Sequence, residues 1–290
     1  MDYQDRPFRS LLYIPGDKQR ALDKALTLAC DGIIFDLEDA VGVDSKDSAR
    51  DLLATMLSTA DYGHRATMVR VNGFGSDWHE ADLKAICAIG PEAILLPKVD
   101  SAGDIERLAA RLDAHKKCAD TRIWAMMESP LGILNAAEIA AAPRMAGMVV
   151  GSNDLLKDLG ATQTPDRLAL QTALNTCMLA ARAHSLFCVD GVYNAFKDME
   201  GLQNECEQGQ LLGFDGKSLI HPAQIDVANK VFSPSEDAIE LAKRQISAFD
   251  AAQAEGKGIA VLDGKIVENL HIVTARKVLA KTAMISNRTG

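Results

Sequence analysis

The chain has 290 residues, 48% of them hydrophobic and 24% charged, the composition of a water-soluble globular protein with a sizeable core. A formal net charge of −9 with no basic run argues against nucleic acid and anionic membranes as partners. An anionic small molecule would need a local cationic patch. No apolar run reaches membrane-spanning length, and MDYQDRPFRS lacks the apolar stretch of a signal peptide, so a cytoplasmic protein that binds no membrane is expected. The six cysteines (Cys30, Cys87, Cys118, Cys177, Cys188, Cys206) include no C-x-x-C pair. They are expected to be reduced and buried.

A first strand is expected at SLLYIP (10–15), followed by a helix over 18–29 with Leu22, Ala25, Leu26 and Ala29 on one face. GIIFDLED (32–39) is the second strand, and residues 45–57 are helical again. TMVRVNG (67–73), AILLPK (93–98), IWAMMES (123–129) and GMVVGSND (147–154) supply strands three to six. Helical stretches are expected at 78–88, 102–115 and 132–141, and a longer one at 167–184. LFCVDG (186–191) and GKSLIHP (216–222) are strands seven and eight, with helices over 198–212 and 223–231. Each strand is too short for a helix and rich in Ile, Val, Leu or Met, as buried parallel strands are. Eight strand–helix pairs without a hairpin signal predict an α/β fold, a TIM (β/α)8 barrel, over residues 1–232. An open doubly wound sheet is the alternative, disfavoured because no G-x-G-x-x-G or P-loop fingerprint follows a strand.

Residues 233–290 read as a C-terminal helical extension. Ser233 or Ser235 caps an amphipathic helix that Gly256 ends; a small extended element turns at Asp263–Gly264; a second helix covers 271–285. This tail is too small for an independent core and is expected to pack on its own barrel or a neighbour's.

Polar residues ending apolar strands carry the chemistry. Glu128 and Asp154 are expected to end adjacent strands five and six on one rim. Two carboxylates without His or Cys select a hard ion such as Mg2+, with Mn2+ the alternative. The competing reading is helix capping or pairing with an arginine. The run DLED places Asp36, Glu38 and Asp39 in four residues, which requires a neighbouring cation. Glu38 is the stronger functional candidate, since Asp39 also suits a helix N-terminus. Arg70, between apolar neighbours, is expected to clamp a substrate carboxylate or carbonyl in bidentate fashion, to form a structural salt bridge with Asp36 or Glu38, or to do both. Lys98, Asp190 and His221 are supporting candidates around the site. Arg9, Lys18, Arg20 and Lys24 form a possible cationic patch, or a solvated helix face.

Taken in order, RSLLYIPG, DGIIFDLEDAV, VRVNG, LLPKV, MMESPLGILNAAEIA, GSNDL, DGVY and GFDGKSLIHPAQI resemble the citrate lyase beta-subunit-like, malyl-CoA lyase-like branch of the HpcH/HpaI aldolase superfamily. The resemblance runs from about Arg9 to beyond Phe232 and continues into the tail. It implies a TIM barrel with Mg2+ on Glu128 and Asp154, Arg70 on the substrate, Glu38 and Asp39 as the acidic pair, and coenzyme A along Arg9, Lys18 and Arg20. It also implies a homotrimer or hexamer, with the C-terminal segment as a lid over a neighbouring site. Two departures bear on function. The strand-six motif GSNDLLKDLG differs from that of citrate lyase beta subunits, which argues against a role in an acyl-carrier-protein complex. The lid carries Glu268, in IVENLH, where the lyases carry a catalytic Asp. The resulting expectation is an Mg2+-dependent lyase that cleaves a malyl-, citramalyl- or methylmalyl-CoA type substrate to a 2-oxo acid and an acyl-CoA. The alternative is hydrolysis at the same site, as in the (3S)-malyl-CoA thioesterase branch.

Overall fold

The computed structural model describes residue 3 and residues 6–286; residues 1, 2, 4, 5 and 287–290 of the expected domains lie outside the described residues. Eight parallel strands close into a barrel in the order β1-β2-β3-β4-β5-β6-β7-β8. They are β1 (Ser10–Pro15), β2 (Gly32–Asp36), β3 (Ala66–Arg70), β4 (Ala93–Leu96), β5 (Arg122–Met127), β6 (Met145–Val150), β7 (Phe187–Asp190) and β8 (Gly216–Leu219). The TIM-barrel expectation is met.

The intervening helices are α1 (Gln19–Ala25), α2 (Lys46–Thr59), α3 (His79–Cys87), α4 (Ala102–Asp113), α5 (Pro130–Leu134), α6 (Ala136–Ala141), α7 (Ser152–Leu159), α8 (Gln171–Ala183), α9 (Met199–Leu212) and α10 (Ile225–Val231). Two differ from the sequence expectation. The stretch 132–141 divides at Asn135 into α5 and α6. GSNDLLKDLG does not prolong strand six; it forms α7, ended by Gly160 in the left-handed conformation at φ 61°.

Aromatic side chains fill the barrel at the N-terminal end of its strands. Phe8 lies 5.2 Å from Trp124 and 4.4 Å from Phe187, and the Trp124 and Phe187 rings are parallel. A Cβ on Gly147 would lie 2.5 Å from the Trp124 ring, so the small residue in β6 makes room for the indole. All six cysteines are buried free thiols, as expected.

Between β7, β8 and α9 sits a buried ion cluster. Lys217 pairs with Asp190 at 3.2 Å and Glu205 at 2.7 Å, while Arg167 places Nη1 2.7 Å from both Asp190 oxygens. Burial alone would raise the Asp190 carboxyl; the Lys217 and Arg167 charges overcome it and hold the carboxyl below its ordinary range.

Phe8–Lys230 form one compact unit, and Val231–Gly290 with Met1–Pro7 form the other. The second contains α11 (Glu236–Ala254), the antiparallel pair β9 (Ala260–Leu262) and β10 (Lys265–Val267), and α12 (Asn269–Ser286). Ser235 caps α11 through the Ala238 N–H at 3.1 Å. Contrary to expectation, the tail has a small core of its own: Phe249, Ala260, Val267 and Ile272, with Ile246 and Leu262 against them. Among the described residues no helix is long and apolar enough to cross a membrane.

Candidate active site

The site is built where the parallel strands stop, at the end from which every helix departs. Asp36 and Arg70 are the last residues of β2 and β3 and lie opposite each other in the sheet register. Arg70 donates through Nε to Asp36 Oδ1 at 2.7 Å and through Nη2 to Oδ2 at 2.6 Å. The same two oxygens accept the Glu38 N–H at 2.9 Å and the Ala40 N–H at 3.0 Å, which fixes the loop after β2. Two prongs of the guanidinium fork therefore lie on Asp36, the salt bridge expected for Arg70. Nη1 remains, 3.0 Å from Glu38 and 3.3 Å from Asp39. The Tyr13 ring lies 4.9 Å from the guanidinium carbon.

Glu38 is mostly buried. Burial pushes its carboxyl up to about 8, helped by Asp39, Glu128 and Asp36 and opposed by Arg70. Burial among three other acids outweighs the 3.0 Å contact with Arg70 in setting that upward shift. Lys46 braces the loop from below, donating to the Leu37 and Glu38 carbonyls at 2.7 Å and to Asn72 at 2.8 Å.

Glu128 follows β5, and the motif around it has a local logic. Ser129 caps α5 through the Gly132 N–H at 3.0 Å, Pro130 occupies the first helical position, and a Cβ on Gly132 would lie 2.2 Å from the Val99 carbonyl oxygen. Gly151 plays a similar part from β6: a Cβ there would sit 2.3 Å from Glu128 Cβ and 2.5 Å from its Oε2. Glu128 is 3% exposed, and burial raises its carboxyl against the effect of Lys98. Asp154 is in the first turn of α7 rather than at a strand end, which corrects the expected placement without removing it from the site.

Lys98 joins the two carboxylates. Its N–H donates to Glu128 Oε1 at 2.7 Å, and its Nζ lies 2.9 Å from Asp154 Oδ2. An open cleft of about 300 Å³ is lined by Tyr13, Asp36, Asp39, Arg70, Glu128 and Asp154, with Met126, Asn153 and Asn194 completing the wall. Among the described residues no group of three or more His, Cys, Asp or Glu is disposed to hold a metal. The donors are a pair of hard oxygens, and the missing side chain at Gly151 lets the Glu128 carboxylate lie where a Cβ would otherwise be. That set fits an octahedral ion that keeps water or ligand oxygens in its other positions.

Other expected residues fall elsewhere. Arg9 precedes β1, at the opposite end of the strands, and grips Asp31 through its backbone N, Nε and Nη2, each at 2.8 Å. It is therefore withdrawn from the cationic patch. Lys18 and Arg20 are exposed where α1 begins, with Lys18 2.7 Å from Asp17. Asp190 belongs to the buried ion cluster, and His221 accepts the Ala223 N–H at 3.2 Å and stacks on Phe196. Glu268 is exposed just before α12, in the C-terminal unit, where its N–H donates to His271 Nδ1 at 3.0 Å. Tyr13, Met126 and the Asn153–Asn194 pair line the cleft without having been singled out in sequence. For Tyr13 the signal was present: a phenol hydroxyl between Leu12 and Ile14, in a first strand whose other polar side chain is Ser10 at its start.

A sequence model of the HpcH/HpaI aldolase/citrate lyase family matches residues 9–222, and the chain belongs to that family. It is an enzyme of that family. A protein named (3S)-malyl-CoA thioesterase from Cereibacter sphaeroides is 61% identical over 99% of this chain and 98% of its own length. Citrate lyase subunit beta of Escherichia coli K12 is 35% identical over 96% of this chain and 94% of its own. Among solved structures, protein CitE from Mycobacterium tuberculosis, in complex with magnesium, acetoacetate and coenzyme A, superposes with a TM-score of 0.80 at 30% identity, covering 96% of this chain and 99% of that one.

Proposed function

We propose that the chain hydrolyses a short 3-hydroxydicarboxylyl coenzyme A thioester of the (3S)-malyl-CoA type. The observation that carries this reading is the 61% identity, over 99% of the chain, to proteins named for that activity. It reverses the order expected from sequence, in which carbon–carbon cleavage came first. Relatives named citrate lyase subunit beta stand at only 35–37% identity.

Hydrolysis adds one water across the acyl C–S bond and yields the hydroxy acid and the free thiol of coenzyme A. Glu128 and Asp154 are the proposed holders of Mg2+, with Mn2+ the alternative that oxygen donors also accept. When bound, the ion supplies positive charge for the ligand's carboxylate and hydroxyl oxygens. Arg70 Nη1, aimed among Glu38 and Asp39, adds charge at the acid end of the ligand. Glu38, whose carboxyl burial pushes up to about 8, is the proposed donor of a hydrogen bond to the ligand's carboxylate when it holds its proton. Lys18 and Arg20 are proposed to meet the anionic groups of coenzyme A. Glu268 is the proposed acceptor of the proton from the attacking water, carried on the C-terminal unit as a lid, in a homotrimer or hexamer.

The test is product analysis by mass spectrometry after incubation with (3S)-malyl-CoA and Mg2+. The expected first products are malate and free coenzyme A, with turnover lost in EDTA. Glyoxylate and acetyl-CoA as first products would restore the lyase reading. Full turnover in EDTA would remove the metal.

A further inference from the structure

Lys98 has a feature that its place in the active site does not require. It follows Pro97 with φ at 52°, a left-handed backbone that a lysine rarely adopts. In that conformation two different groups of one residue reach the two carboxylates of the proposed metal site. The main-chain N–H holds Glu128 Oε1 at 2.7 Å and the side-chain ammonium holds Asp154 Oδ2 at 2.9 Å. The first contact is part-buried, against the buried Glu128. The second is open: the Lys98 side chain is 56% exposed. A four-carbon stem can swing its ammonium away while the backbone stays fixed.

We propose that Lys98 is the resident counter-ion of the metal site, a place-holder that the divalent cation displaces. The inference rests on the assignment of Glu128 and Asp154 as the metal's ligands. The ammonium offsets the charge of Asp154 when no metal is bound, so the two carboxylates do not repel each other out of position. On metal binding it gives up Asp154, while the N–H continues to aim Glu128. A second cleft beside the first has Lys98 on its wall together with the largely exposed Asp39, so the released ammonium has an acidic neighbour to turn to. The exchange makes Lys98 a positioning residue. It sets metal affinity by competition and preserves the ligand geometry between turnovers.

The test uses the full-length protein and Mg2+ alone. Lys98→Met removes the competitor, so Mg2+ should bind roughly two- to tenfold more tightly by calorimetry, a modest gain because an exposed pair is weak. In EDTA the same variant should melt below wild type, and the gap should close when Mg2+ is added. In wild type, amine-reactive footprinting read by mass spectrometry should show Lys98 becoming more reactive on Mg2+ addition. Lys98→Gln, with the stem kept nearly intact, should repeat the affinity change if Lys98→Met folds poorly. Weaker Mg2+ binding in either variant, or Lys98 labelling that ignores Mg2+, would overturn the place-holder. Failure of wild type to bind Mg2+ at all, with Asp154→Asn indistinguishable from it, would instead strike the metal assignment itself.

Discussion

At the scale of single residues, the Asp36–Arg70 pair decides most of the site's electrostatics. Both partners are buried and each oxygen of Asp36 serves both the guanidinium and a loop N–H. Arg70→Lys keeps the charge and loses the planar fork. Its expected consequences are a fall in kcat/KM of about a hundredfold, since small misplacements carry that cost, and a lower melting temperature. Near-wild-type values of both would show that the fork does not matter. Glu38 gives a pH signature. Its folded carboxyl sits at about 8, above the ordinary carboxylate range, so the folded state holds a proton that the unfolded chain releases. The stability it contributes is fully present below the unfolded value and is lost as pH rises toward and through 8. Melting curves of Glu38→Gln should therefore gain on wild type steadily from pH 5 to about pH 8 and level off above it. A constant offset across that range would contradict the raised carboxyl. The residue identities at this site were largely readable in sequence, because charged groups interrupt otherwise apolar runs. Arg9, grouped with Lys18 and Arg20 as part of one N-terminal block, stands apart from them: it precedes its strand, and that end of a parallel barrel is remote from the helix-entry rim.

At the scale of elements, the two proposed metal ligands sit on supports of different kinds. Glu128 is enclosed by the α5 turn and by Gly151, whereas Asp154 rides on the first turn of α7. Gly151→Ala would place a methyl 2.3 Å from Glu128 Cβ, too close for either to stay. The expected result is a folded barrel that has lost most of its Mg2+ affinity in calorimetry; unchanged affinity would show that Glu128 has room to retreat. The helix α7 itself was hidden in the sequence, since the apolar run of strand six flows directly into GSND. The terminating Gly160 was the available clue, a glycine two turns after a polar cluster. Likewise the break between α5 and α6 left no proline or glycine at Asn135, and periodicity alone carried the expected helix straight through it.

At the scale of the whole molecule, strand number and order were legible because most strands are separate apolar runs, β8 (GKSL) being the exception. What sequence could not show was that the tail gathers Phe249, Ala260, Val267 and Ile272 into a cluster of its own, because that depends on which faces of α11 and α12 meet. Nor could it show how unevenly the barrel is laced. The register between β1 and β2 runs over five residue pairs, as does that between β2 and β3, while β7 and β8 share only two. One of those two is Asp190 opposite Lys217, the heart of the buried ion cluster. Where the ladder is shortest, charge takes over the fastening, and it does so away from solvent, where salt screens little. The order in which the barrel comes apart should follow. In native-state hydrogen exchange, amides of β2 and β3 should open only with global unfolding, and β7 and β8 should hold with them. Asp190→Asn, which leaves Lys217 and Arg167 buried with one charge too few, should cost about 3–5 kcal/mol. Its exchange should then begin at β7 and β8 ahead of the rest, so that a closed ring unzips from a single seam. Uniform acceleration around all eight strands would mean that the cluster fastens no particular rung.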